Sequence, residues 1–263
     1  MGDSQESIVA FAEETARDAA QVLMKYFGTA TVHEKSTQNL VTQADLESEK
    51  LVADAIHRRF PGHAMLGEEG QQATDLNGEH VWVVDPLDGT NNYAHGIPQF
   101  CVSIAYAQHG IVQVGAVYDP LRDELFVARR GGGATLNGQP IRVSETTELA
   151  RGIFATGFFY DRGETMERTL ASIGALFRRN IRGIRRMGAA ALDLSWVGCG
   201  RFQGFFEYKL APWDFAAAAL VVEEAGGICC NRAGTPLRLT DDSCIVACPG
   251  VLDALRETVL WQD

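Results

Sequence analysis

The sequence predicts an α+β protein, and three observations carry that expectation. Ile8, Phe11, Ala12, Thr15, Ala19, Val22 and Tyr26 recur at helical spacing. Apolar runs between residues 80 and 130 are punctuated by the turns "HG", "DPLRD" and "RGGG", the pattern of an antiparallel meander. Beyond about residue 143, helical and strand patterns alternate, which suggests a mixed sheet with helices packed on it.

Taken in order, residues 4–27 form an amphipathic helix ending near Gly28. A second helix runs from about Gln43 to Phe60 and stops at "PGH". The strands "HVWVVD", "CVSIAYAQ", "IVQVGAVYD" and "ELFVARR" follow. Pro86 locks φ and lacks an N–H, so the first of these strands is expected to end there. "RRGGGATLNG" has contiguous glycines without dinucleotide-fingerprint spacing and reads as a surface turn. The second half brings "GIFATGF", helices near 164–178, 188–198 and 213–225, and the strands "GFFEY" and "CIVAC". The expected division falls near residue 143, into an N-terminal half, 1–143, and a C-terminal half, 144–263, packed as one unit. No Pro- or Ser-rich linker marks it, and there is no internal repeat.

The chain has 263 residues, 46% of them hydrophobic, which suits one large domain or two closely packed subdomains. Its 23 Lys and Arg against 34 Asp and Glu leave a net charge of −11, which argues against a broad nucleic-acid-binding face. The one dense basic stretch, "RRNIRGIRR" (Arg178–Arg186), reads as a solvated face or interface edge. No run approaches the ~18 apolar residues of a membrane span. "MGDSQESIVAF" lacks the regions of a signal peptide, and Glu6 breaks the myristoylation pattern. A cytoplasmic location is expected. Six cysteines without a CxxC pair fit structural thiols in a reducing compartment.

The chemistry concentrates at "VWVVDPLDGTNNY", where Asp85 and Asp88 follow a buried-looking strand on one tight loop. Two ionised carboxylates so close repel, so either one is protonated or a cation lies between them. Oxygen ligands favour Mg²⁺, Mn²⁺ or Ca²⁺ over zinc. Gly89 admits close backbone approach, and Thr90 opens a short helix whose free N–H groups suit a phosphate. The competing reading is that both acids merely make turn and cap hydrogen bonds. "MLGEEG" adds Glu68 and Glu69, otherwise an ordinary loop. "APWDFAAAALVVEEAGG" places Asp214 at the start of an apolar helix, as an N-cap or as a ligand.

"GEEG", "WVVDPLDGTNNYAHGIP" and "PWDFAAAALVVEEAGG" resemble the three signatures of the inositol monophosphatase family, and "RRMGAAALDLSWVGCGRFQGFFE" resembles its bacterial branch. The resemblance runs from about residue 8 to 250 with the motifs in order. It implies a layered α-β-α-β-α sandwich, shared with the fructose-1,6-bisphosphatase type and usually dimeric. It implies a Mg²⁺-dependent, lithium-sensitive phosphatase with two to three ions, Mn²⁺ being an alternative. The metal ligands would be Glu68, Asp85, the Leu87 carbonyl, Asp88 and Asp214. Gly89 and Thr90 would cradle the phosphate, Gly188, Ala189, Ala190 and Glu207 would touch the polyol, and Leu87, Asp88 and Asp214 would also contact the substrate. Glu68, with Thr90 backed by Asp45, would position the attacking water, and Lys35 would lie near the metals.

The implied substrate is a small phosphate monoester, inositol 1-phosphate foremost. Histidinol phosphate, fructose 1,6-bisphosphate and 3′-phosphoadenosine 5′-phosphate are alternatives on the same scaffold. Phe159 stands where bacterial relatives often carry Pro, and Arg162 reads as a solvated loop residue or a second-phosphate contact. A reading from a different class is a binding protein of transcription complexes, since some bacterial relatives join RNA polymerase. "RRNIRGIRR" would then serve a protein or RNA partner.

Overall fold

The computed structural model describes residues 4–29, 32–36, 39–70, 74–160 and 162–259; of 32–36 and 39–41 it describes the backbone alone. Helix α1 (Gln5–Tyr26) leads into a hairpin of β1 (Val32–Ser36) and β2 (Asn39–Thr42), then α2 (Gln43–Arg59). A seven-stranded sheet follows. Its strands are β3 (Ala64–Gly67), β4 (Val81–Asp88), β5 (Cys101–Gln108), β6 (Ile111–Asp119), β7 (Glu124–Arg129), β8 (Gly133–Leu136) and β9 (Gln139–Pro140), in that spatial order. The short α3 (Thr90–Ala94) sits between β4 and β5. From β4 onward every pairing is antiparallel, whereas β3 runs parallel to β4.

The second half carries β10 (Ile153–Thr156), α4 (Glu164–Arg178), β11 (Gly183–Arg185), α5 (Ala190–Gly198), β12 (Gly204–Glu207), α6 (Pro212–Glu224), β13 (Ile228–Cys230), β14 (Cys244–Ala247) and α7 (Leu252–Thr258). Its five strands lie in the order β11-β10-β12-β14-β13. The pairs made by β10 are parallel and those made by β14 are antiparallel, so the sheet is mixed.

Strand alternation stacks these parts into five layers. Successive side chains of a strand point to opposite faces. On β4, Trp82 and Val84 face α1 and α2, where they join Ile8, Leu23, Val52 and Ile56 in one core. Val81 and Val83 face the other way, into a core with Leu192 and Val197 of α5, Phe215 and Val221 of α6, and Phe205 and Val246 of the second sheet. The far side of that sheet, through Phe154, Phe206 and Ile245, packs on Leu176 of α4 and Leu255 of α7. The order is therefore α1/α2, sheet, α5/α6, sheet, α4/α7, the layered α-β-α-β-α sandwich.

Three local expectations change. Pro86 does not end β4: the register slips between Asp85 and Asp88, and Asp88 resumes pairing with Cys101. A bulge tolerates a residue with no N–H to donate. The tail of "RRGGGATLNG" is not all turn, because Gly133–Leu136 pairs with β7. The short parallel strands β3 and β11 carry too few residues to show a period. All six cysteines are free thiols, and five are buried. Among the described residues no helix is long and apolar enough to cross a membrane.

Candidate active site

The β4 bulge turns its two acids in different directions. Asp85 is 1% exposed, and its Oδ1 accepts the Leu87 N–H at 2.9 Å, closing an Asx turn around Pro86. Asp88 reaches into the second half of the chain. It accepts the N–H groups of Ala190 (3.1 Å) and Ala191 (2.7 Å), in the first turn of α5, and the Cys101 thiol at 3.6 Å. Gly89 follows at φ 97°, and a Cβ there would lie 2.9 Å from the Gln99 carbonyl. Only glycine fits, on conformation and on space.

Thr90 starts α3, and its hydroxyl lies 3.1 Å from the Leu87 carbonyl and 3.3 Å from Asp45 Oδ1. Asp45 is fixed by the local rules of a helix start. It is the third residue of α2, where its Oδ2 accepts the Thr42 N–H at 2.8 Å as half of a capping box. Asp214 makes the equivalent bond in α6, accepting the Ala211 N–H at 2.7 Å. Asp214 is therefore not the N-cap residue, which is Ala211, but it caps the helix from its third position.

These segments meet at one cavity of about 400 Å³. Glu68, Asp85, Leu87, Asp88, Gly89, Thr90, Gly188, Ala189, Ala190, Glu207 and Asp214 all line it. Asp45 stands behind Thr90, outside the lining. The side chain of Lys35 lies outside the described residues.

Burial raises the pKa values of these acids, and for several of them neighbouring acids add to it. Burial pushes Asp85 well up, and Glu68, Asp88 and Asp214 push in the same direction. Asp88 rises to about 6 through burial, against the pull of the Ala191 and Ala190 amides. Asp214 rises to about 7 through burial and the charge of Asp88. Glu207, 7% exposed, is raised well above the carboxylate range by burial and then by Asp214. Burial lifts Asp45 to about 6 despite its bonds from Thr42. Among the described residues, no three His, Cys, Asp or Glu side chains form a ready metal cluster. Asp85, Asp88 and Asp214 each accept backbone N–H groups of their own. The donor set is all oxygen, negatively charged and shared by one cavity, which fits hard divalent ions.

Sequence reasoning missed several members of this site. Arg186, read as part of a solvated or interface face, lines the cavity, and its charge draws Asp88 and Glu207 toward ionisation. Asp193 is 1% exposed on α5, and among the described residues its Oδ1 has no hydrogen-bond partner. A lone acid in the apolar run "AALDLSWVG" was the available signal, the same one that singled out Asp214. Phe158, Phe159, Tyr160, Lys209 and Trp213 also form part of the wall, with the Lys209 ammonium 4.7 Å from the Phe159 ring centre. Arg162 donates to the Phe159 carbonyl and is not part of the lining.

The inositol monophosphatase family model matches residues 4–262. The chain belongs to the inositol monophosphatase family. Inositol monophosphatase 1 of Solanum lycopersicum is 38% identical over 262 residues, 97% of this chain and 96% of that protein. Nus factor SuhB of Salmonella typhimurium strain 14028s is 39% identical over 251 residues, 94% of each. The solved inositol monophosphatase of Anabaena (Nostoc) sp. PCC 7120 superposes with a TM-score of 0.87 at 39% identity, covering 98% of this chain and 97% of that one. This inositol monophosphatase family member is accordingly a phosphatase of small phosphate monoesters, in a family that is generally metal-dependent.

Proposed function

We propose that the protein hydrolyses inositol 1-phosphate to inositol and phosphate, with Mg²⁺ held by Glu68, Asp85, the Leu87 carbonyl, Asp88 and Asp214. One observation carries the reading: carboxylates from β4, α6 and the turn after β3 line a single cavity that also holds Glu207. When bound, divalent ions would neutralise the phosphate and acidify a water. The backbone at Gly89 and Thr90 cradles the phosphoryl oxygens. The Thr90 hydroxyl, shared between Leu87 O and Asp45 Oδ1, orients the attacking water and passes its proton toward Asp45. Glu68 fixes the other side of that water. Glu207, which lines the same cavity as Gly188–Ala190, exchanges hydrogen bonds with a polyol hydroxyl.

The test is phosphate release by Asp88→Asn across a panel of inositol, histidinol and sugar phosphates, with Mg²⁺ titrated and Li⁺ added. A fall of at least ~10²-fold for every ester is expected from loss of a charged ligand to the divalent ions. Near-wild-type turnover would remove this assignment.

A role in transcription complexes is a second reading, favoured by the SuhB relative and by the exposed Arg178, Arg179, Arg182 and Arg185. Retention of RNA polymerase on the immobilised protein, lost when these four become Glu, would support it.

A further inference from the structure

Helix α2 carries a buried polar face that touches three separate parts of the site. Asp45, Ser48 and Glu49 lie within one turn of each other, and all three are buried. Asp45 meets Thr90. Ser48 donates to the Pro86 carbonyl at 3.3 Å, inside the β4 bulge. Glu49 reaches the turn after β3, where Oε2 accepts the Glu69 N–H at 2.7 Å and Oε1 the Gly70 N–H at 2.6 Å. These short bonds to a carboxylate are the strong kind. They grip the backbone immediately after Glu68.

The same carboxylate accounts for the glycines of "GEEG". A Cβ on Gly67 would lie 2.6 Å from Glu49 Oε2, and one on Gly70 would lie 3.2 Å from Oε1. The turn is wrapped so closely around a side chain from another element that its flanking positions have little or no room for a methyl group. A buried acid is costly unless its oxygens are satisfied. Here the satisfaction comes from the segment whose placement decides where Glu68 points.

We propose that Glu49 is a positioning residue. Its carboxylate templates the Gly67–Gly70 turn and so aims Glu68 into the cavity, without itself touching substrate. The functional half of this inference rests on the metal and water role assigned to Glu68 above; the templating half does not.

The experiment is Glu49→Gln in the full chain, read by amide hydrogen exchange and by Mg²⁺ titration of activity. Glutamine keeps the shape but turns an NH₂ group toward one of the two amides. The amides of Glu69 and Gly70 should exchange at least ~10-fold faster, while those of Val52 and Ile56 on α2 stay protected. The Mg²⁺ concentration for half-maximal activity should rise ~10-fold with KM for the ester little altered. A purely structural role would lower the melting temperature without moving that midpoint. Gly67→Ala is the second variant: it displaces the carboxylate without removing it and should move both readouts in the same direction. Wild-type exchange at Glu69 and Gly70 in both variants would overturn the template. Faster exchange with an unmoved Mg²⁺ midpoint would overturn the link to Glu68. If Glu68→Gln keeps full turnover, the role of Glu68 fails on its own account.

Discussion

Helices α1 and α6 are both packed against the seven-stranded sheet, from opposite sides, and their sequences look nothing alike. α1 buries one stripe: Ile8, Ala12, Thr15, Ala16, Ala19, Ala20 and Leu23. The rest of its surface is charged and wet, as an outer-layer helix requires. α6 buries eight consecutive residues, Phe215–Val222, because sheets lie on both sides of it. Its small alanines let the layers close, and a Cβ on Gly115 of β6 would lie 2.5 Å from the Ala217 carbonyl. An outer helix can lose a surface side chain cheaply. The central helix tolerates almost no change of volume, and it also carries Asp214 into the cavity. The candidate site residue Asp214 thus starts a helix held between two sheets.

The largest expected effect separates those two duties of α6. Asp214→Asn keeps an acceptor for the Ala211 N–H, so the cap survives, while the charge facing the cavity is lost. A fall in kcat/KM of ~10²–10³-fold is expected, with the melting temperature changed by no more than a few degrees. Equal losses of stability and activity would mean that Asp214 is only a cap. Next, Gly115→Val should wedge α6 off the sheet and cost about 3 kcal/mol by denaturant unfolding. A smaller loss than for a comparable change under α1 would break the comparison.

A pH effect comes third. Asp45 and Asp88 have folded pKa values near 6 and Asp214 near 7, all well above that of an exposed aspartate. The folded metal-free protein therefore binds protons more tightly than the unfolded chain. That contribution is fully present below about pH 4 and is lost as pH rises through 6–7. Metal-free protein should be more stable at pH 5 than at pH 8, by on the order of 5 kcal/mol. Mg²⁺ should close the gap by stabilising the pH 8 state. Calorimetry with and without EDTA checks both signs. Smallest is Glu14→Ala on the exposed face of α1, expected to stay within ~0.5 kcal/mol by the same unfolding assay.

The long periodic elements were readable in advance. α1, α2 and α4 lie within a residue or two of the spans their spacing indicates, because a helix of several turns repeats its pattern often enough to be recognised. The β4 bulge was not readable, since Pro86 normally argues for a strand end and only the cross-strand pairing of Asp88 with Cys101 overrides it. Around the cavity, Asp85, Asp88 and Asp214 stood out as acids beside apolar runs. Glu49 did not: in "ADLESEK" it is one of three acids, and nothing local distinguishes it from Glu47, which bonds Tyr26 at the surface. Arg186 was hidden the same way among the other arginines of its stretch.

The amino-acid order alone determined the type and approximate place of most elements, the two capping acids at Asp45 and Asp214, and the glycine needed after Asp88. These depend on contacts within a few residues, which the chain specifies wherever it folds. Which sheet covers which helix, and which of many acids loses its water, was decided only by the assembled layers. Desolvation is a property of the whole packing, and no side chain carries it in its own neighbourhood of sequence.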